Sequence, residues 1–155
     1  MPTYLLDTGI VLGYLRAAPY AQYVEQNYAP LTAPQMGLIS VVSIAELKSL
    51  GMQFGWGAAK LTRLNELLRR IPLVDINHQE IIDRYAEIDT YSHGKLRSNP
   101  LPAGIGSRTM GKNDLWIAGT CSILNGTLLT IDHDFDHLQP QYLNVTYIDQ
   151  SIGKL

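Results

Sequence analysis

The sequence predicts an α/β fold built on a mainly parallel sheet of about five strands. Three observations carry this. Short apolar runs alternate with longer stretches of helical period, the order expected of βα units. The runs are apolar at successive positions, as in strands covered by helices on both faces. The chain has 155 residues, 46% hydrophobic and 17% charged, a size that buries a core without staples. Its single cysteine, Cys121, excludes an intramolecular disulfide framework.

The elements follow in order along the chain. The first strand, residues 3–6, runs into Asp7, which can cap a helix starting near Thr8. A second strand is expected at 38–42. Ser43 then reads as an N-cap, with Glu46 three residues later completing a capping-box pattern. Leu61, Leu64, Leu67, Leu68 and Ile71 recur at spacings of three and four, which predicts a helix over 60–71 that Pro72 stops. A third strand is expected at 73–76. Ile81, Ile82, Tyr85 and Ile88 repeat the helical pattern from about His78 onward. Between 91 and 112 no period survives, because Pro100, Pro102, Gly104 and Gly106 interrupt it, and a long loop is expected there. Asn113 can cap a helix over 114–124 that Gly126 ends, and strands follow at 127–131 and 145–148.

No repeat or low-complexity block divides the chain, so one domain over 1–155 is expected. No run reaches the ~18 apolar residues of a membrane span. Asp7 interrupts Tyr4-Leu5-Leu6 too early for a secretory signal. With a free thiol, these features point to a cytoplasmic protein with no membrane partner.

Four acids share one structural address. Asp7 follows the first strand, Glu46 lies in the helix after the second, Asp114 opens the helix after the long loop, and Asp132 follows the fourth strand. In an open parallel sheet, positions just beyond the carboxyl ends of the strands line one edge, where ligands bind. Two carboxylates ~4 Å apart repel by about 4 kcal/mol at an effective dielectric near 20, so convergence calls for a counter-charge. An all-oxygen set suits Mg²⁺ or Mn²⁺ rather than zinc. Phosphodiester hydrolysis is the usual chemistry of such a site. Singly, each acid also reads as a cap or a loop residue; their shared edge is what points to function.

These positions resemble the PIN-domain ribonucleases, and are most similar to the VapC-type toxins of prokaryotic toxin–antitoxin pairs. Tyr4-Leu5-Leu6-Asp7-Thr8 resembles the opening strand and first acid. Val42-Ser43-Ile44-Ala45-Glu46-Leu47 resembles the second acidic motif. Asn113-Asp114-Leu115-Trp116-Ile117-Ala118 is the most specific match, and Leu129-Thr130-Ile131-Asp132-His133-Asp134-Phe135 resembles the closing motif. The resemblance implies a three-layer α/β/α PIN-like domain and a Mg²⁺- or Mn²⁺-dependent endoribonuclease. The implied partners are an RNA substrate, a small antitoxin covering the acidic site and, often, a second copy in a homodimer. Asp7, Glu46, Asp114 and Asp132 would hold metal, with Asp134 as an alternative ligand in the closing motif. Thr8, Asn113 and Thr130 are candidates to orient those carboxylates by hydrogen bonding. Two departures stand out: Gly9 replaces the usual polar residue after the first acid, and the segment before Asn113 is longer and richer in Pro and Gly.

Other constellations compete with this reading. Asp7-Thr8-Gly9 matches the D-T-G signature of aspartic proteases, which need two such carboxylates on an all-β scaffold. A PIN-like module that binds RNA or protein without cutting is the other alternative. His78, His93, His133 and His137 form no metal motif and read as exposed or capping residues. Cys121 reads as core, Trp116 as packing on the sheet, and Trp56 as a helix-start anchor or partner surface.

The net charge of −2 argues at first against a nucleic-acid binder. Without its four candidate acids, however, the chain is net positive by two. From Thr90 to Asn113 there is no acid, while Lys95, Arg97, Arg108 and Lys112 are basic. That stretch runs directly into Asp114, and Arg108 and Lys112 are the candidate contacts to an RNA backbone.

Overall fold

The computed structural model describes residues 2–154. Five strands form one sheet: β1 (Thr3–Leu6), β2 (Met36–Ser40), β3 (Leu73–Val74), β4 (Thr127–Thr130) and β5 (Asn144–Tyr147), in the order β3-β2-β1-β4-β5. Every pairing is parallel, with Leu5 opposite Leu38 on one side and Leu128 on the other. Parallel neighbours require crossovers, and six helices supply them: α1 (Thr8–Leu15), α2 (Pro19–Tyr28), α3 (Val41–Gln53), α4 (Ala58–Arg69), α5 (Gln79–Ser92) and α6 (Lys112–Leu124).

Successive side chains of a strand point to opposite faces, and the leucine pairs use this to build two cores. Leu5, Leu38 and Leu128 join Ile88, Tyr91, Leu115, Ala118 and Cys121 on the face covered by α5 and α6. Leu6, Ile39 and Leu129 join Ile10, Val24, Leu47, Leu64 and Leu67 on the face covered by α1 to α4. The result is the expected three-layer α/β/α arrangement, and Cys121 is fully buried in it. On the first face α6 lies close against α5: a Cβ on Gly119 would stand 3.3 Å from the Tyr85 backbone nitrogen. Among the described residues no helix is long and apolar enough to cross a membrane.

Several boundaries differ from the sequence expectation, each for a local reason. Strand β2 stops at Ser40 instead of running to residue 42. There the Ser40 hydroxyl oxygen accepts from the Val42 N–H at 3.1 Å and caps α3. Ser43 is therefore not a cap; it is buried inside α3, and its hydroxyl finds no partner among the described residues. Likewise Asn113 does not cap α6. Gly111 takes that place without a side-chain bond, and the helix begins at Lys112. Its far end is closed by Asn125 in the left-handed region, with Gly126 following. Strand β3 is only two residues long. Helix α2, which the sequence pattern did not announce, starts with Pro19 at its first position.

Between α5 and α6 the chain is irregular, as the prolines and glycines dictate, but it is anchored. The Arg108 N–H donates to the Ser92 carbonyl at 2.7 Å. The Ser92 hydroxyl lies 2.8 Å from His137 Nε2 and 3.4 Å from Met110 Sδ. His137 is thus buried rather than exposed, and it ties the end of the loop to the short turn Asp136–Leu138. Burial and the nearby Arg108 charge push its pKa down to about 4, so it is neutral at physiological pH.

Candidate active site

Strand order reverses at β1: the chain leaves β1 for β2 on one side, whereas β4 pairs with β1 on the other. Ligands of open α/β sheets bind at such a crevice, beyond the carboxyl ends of the strands. Asp7 ends β1 there, and the segment Ile131-Asp132 leaves β4 beside it; the Asp7 N–H donates to the Leu129 carbonyl at 3.0 Å. Glu46 approaches from α3 and Asp114 from the first turn of α6.

Two threonines connect these acids. The Thr130 hydroxyl donates to Asp7 Oδ2 at 2.7 Å while its oxygen accepts from the Asp132 N–H at 3.1 Å. Asp7 Oδ1 accepts from the Thr8 N–H at 2.8 Å, which caps α1, and the Thr8 hydroxyl donates to Glu46 Oε1 at 2.8 Å. One chain of hydrogen bonds therefore runs from the Asp132 backbone through Thr130 and Asp7 to Thr8 and Glu46. Each threonine fixes the carboxylate it serves without adding charge.

The electrostatics show how crowded the site is. Asp7 is only 4% exposed. Burial pushes its pKa up to about 6, against the pull of the Thr130 and Thr8 hydrogen bonds, with the Asp132 and Glu46 charges adding to the rise. Asp114 is pushed up to about 7, first by burial and then by the charges of Asp7, Asp134, Asp132 and Glu46. Asp132 is raised by burial, then by Asp134 and Glu46. Asp114 thus feels the charges of the four other acids, and Asp7 and Asp132 those of their nearer neighbours. Among the described residues none of them has a Lys or Arg partner, and the ion pairs present are His93–Asp89 and His133–Asp136.

No three His, Cys, Asp or Glu side chains among the described residues close to a ready-made metal cage. The donor chemistry nevertheless fits a hard divalent cation: carboxylate oxygens converge, no Lys or Arg compensates them among the described residues, and their raised pKa values record the cost first of burying those charges and then of holding them together. A cation among them would remove that cost.

The remaining sequence candidates are placed as follows. Lys112 and Asn113 line a cavity of about 430 Å³ with Glu46, Gly111 and Asp114. Asn113 orients no carboxylate by a hydrogen bond in this arrangement; that part is taken by Thr8 and Thr130. Arg108 stands by His137 rather than at the acids themselves. Asp134 is exposed and acts on Asp114 and Asp132 through its charge. Trp116 packs against the core on that face of the sheet, as expected, and in addition its ring meets Tyr85 of α5 at 4.4 Å and lines a second cavity that includes Glu46. Trp56 packs beside Gly51 at the start of α4, with the Lys60 ammonium 4.3 Å from its ring. Gly9 has a steric reason: a Cβ there would come within 2.6 Å of the Ile131 side chain. The D-T-G protease reading fails on the scaffold, because Asp7-Thr8-Gly9 joins a parallel strand to a helix in an α/β fold.

The PIN-domain family model matches residues 4–139, a span that contains every one of these acids. The chain belongs to the PIN-domain family. Solved structures agree with this PIN fold. A chain of VapBC2 from Rickettsia felis, bound to a DNA fragment from its promoter, is 23% identical with a TM-score of 0.75, covering 95% of this chain and 99% of that one. A chain of VapBC-1 from nontypeable Haemophilus influenzae is 24% identical with a TM-score of 0.63, covering 94% and 97%. A toxin–antitoxin complex from Klebsiella pneumoniae matches at 17% identity and a TM-score of 0.64, covering 92% and 95%. No curated protein matches the sequence.

Proposed function

We propose that this PIN domain is a Mg²⁺- or Mn²⁺-dependent endoribonuclease and the toxin of a toxin–antitoxin pair. The observation that carries the reading is the acid cluster at the β1–β4 crevice, held by Thr8 and Thr130 and lacking any Lys or Arg partner among the described residues. A structural cluster would be neutralised; a cluster left charged at a ligand-binding edge is built for a cation.

Asp7, Glu46, Asp114 and Asp132 would hold the ion or ions, with Asp134 within their electrostatic reach. A bound divalent ion supplies Lewis acidity toward a phosphodiester. The protein's own part is positioning. Thr130 and Thr8 fix the Asp7 and Glu46 oxygens, and Lys112 at the rim of the acid cavity offers a cation to an RNA phosphate. Because Asp7 and Asp114 titrate at about 6 and about 7, cation binding is coupled to release of their protons.

The toxin reading draws on the neighbours, several of which are VapBC or other toxin–antitoxin complexes. An antitoxin that covers the acids, and a homodimer of the toxin, follow from the same reading. The test is cleavage of a mixed RNA pool by the purified protein with Mg²⁺, with Mn²⁺ and with chelator. Metal-dependent cutting that Asp7→Asn and Asp114→Asn each abolish is expected. Cutting that survives both substitutions, or that ignores chelator, overturns the assignment.

A further inference from the structure

The cavity that Trp116 lines shares Glu46 with the acid site but extends from it along α3, past Ser49 and Leu50 to Gln53. It measures about 540 Å³ and lies between α3 and the start of α6, within the range of pockets that take small organic groups. Val42, Leu50 and Ile76 make it largely apolar, Trp116 gives it an aromatic surface, and Asn113 and Gln53 bring amides to it. Glu46 and Asn113 line both this cavity and the one containing Asp114, so the two spaces adjoin.

The lining selects among the parts of a nucleotide. A phosphate is disfavoured by the Glu46 carboxylate and by the absence of any Lys or Arg among the lining residues. A base is favoured, since unpaired bases stack on aromatic rings and present polar edges to amides. The Trp116 ring is braced by Tyr85, which limits the order lost when a base stacks on it. The Gln53 amide nitrogen is already committed to Ser49 Oγ at 2.8 Å, leaving its carbonyl oxygen free to accept from a base N–H.

We propose that this cavity binds one unpaired nucleobase of the RNA substrate next to the acid cluster, stacked on Trp116 and read by Asn113 and Gln53. The proposal rests on the endoribonuclease reading, and it makes this PIN domain selective for the base beside the cut.

The test uses the full chain and single-stranded oligoribonucleotides made cut-resistant by 2′-O-methylation, in Mg²⁺. Binding is expected to quench tryptophan emission, and Trp116→Leu is expected to abolish the quench and weaken binding by roughly 5- to 150-fold. One abasic position should weaken binding to the native protein by a similar factor, yet have little further effect on Trp116→Leu. Independent, multiplicative losses would mean that Trp116 acts only through packing, and would overturn the proposal. So would quenching by an antitoxin segment but not by RNA. If Trp116→Leu does not fold, Gln53→Ala on the exposed end of α3 decides: it should change the ratio of cleavage between bases, and an unchanged ratio overturns the proposal. Coupled binding without any metal-dependent cleavage would remove the nuclease reading and leave the base site standing.

Discussion

Replacing Asp7 by Asn should make the metal-free protein more stable at alkaline pH. Asp7 is almost fully buried, and its pKa rises from an ordinary carboxyl's 3.8 to about 6. The folded state therefore holds its proton more tightly than the unfolded state does, and stability falls as pH rises from about 4 to about 6. Fully developed, that rise corresponds to about 3 kcal/mol, of which only about 1 kcal/mol is felt at pH 4.5. Asn keeps the shape and removes the charge. Its carbonyl can still accept from the Thr8 N–H, but its amide must donate to Thr130 Oγ, reversing a bond that now runs the other way. Rearranging that hydrogen bond costs roughly 1 kcal/mol. The balance is a variant about 2 kcal/mol more stable than the native protein at pH 8 and about equal to it at pH 4.5. In a chain of this size ~2 kcal/mol is about 4–8 °C in melting temperature. Urea unfolding followed by circular dichroism in chelator, at both pH values, measures it. A variant that is less stable at pH 8, or a difference that does not change with pH, would refute the account of Asp7 as a buried carboxylate whose charge is uncompensated.

Other expectations can be checked alongside. Mg²⁺ at ~100 times its dissociation constant should raise stability by about 2.7 kcal/mol at pH 8. Calorimetry should show that gain shrinking as the pH falls through about 7 and about 6, where Asp114 and Asp7 take up protons. Charge reversal at Lys112 and Arg108 should weaken RNA binding and flatten its dependence on salt, by about one logarithmic unit of slope for each phosphate that is no longer neutralised; an unchanged salt slope counts against both residues. Thr130→Val removes the hydroxyl that serves both Asp7 and the Asp132 backbone, and should cost about 1–3 kcal/mol in a denaturant titration. Ser92→Ala should cost about as much by leaving the buried His137 ring without its partner, which thermal melting will register.

What could be read from the sequence was whatever a periodic or chemical pattern repeated. Leucine pairs such as Leu5-Leu6 and Leu128-Leu129 announce strands covered on both faces, and the acids beyond them mark one sheet edge. Helix starts were harder, because capping is decided by one backbone turn. Ser43 with Glu46 matched a capping box, yet Ser40 lies where the strand ends and its hydroxyl reaches Val42. At α6 no side chain caps at all, so Asn113 had no role there to reveal. Helix α2 was hidden because tyrosines rather than leucines make up much of its inward side, opposite Gln22, Gln26 and Asn27, although Pro19 is a start signal. The anchoring of the long loop was illegible, because Ser92, Met110 and His137 are far apart in the chain and none belongs to a motif. The second cavity was hidden for a similar reason: Trp116 reads as core from its place on α6, and Tyr85, which turns its ring into a wall, comes from another helix.

The acids are drawn from both sides of the sheet. Asp7 and Glu46 are carried by α1 and α3, whose residues Ile10, Val11 and Leu47 fill one core, whereas Asp114 is carried by α6, whose residues Leu115, Ala118 and Cys121 fill the other. The cluster is therefore a coincidence detector for folding. A chain that has docked only one helical layer holds an incomplete set of acids, however well that half is packed. An intermediate of that kind cannot present the full set of acids, and under the proposed nuclease reading metal-dependent cleavage would serve as a readout of complete assembly.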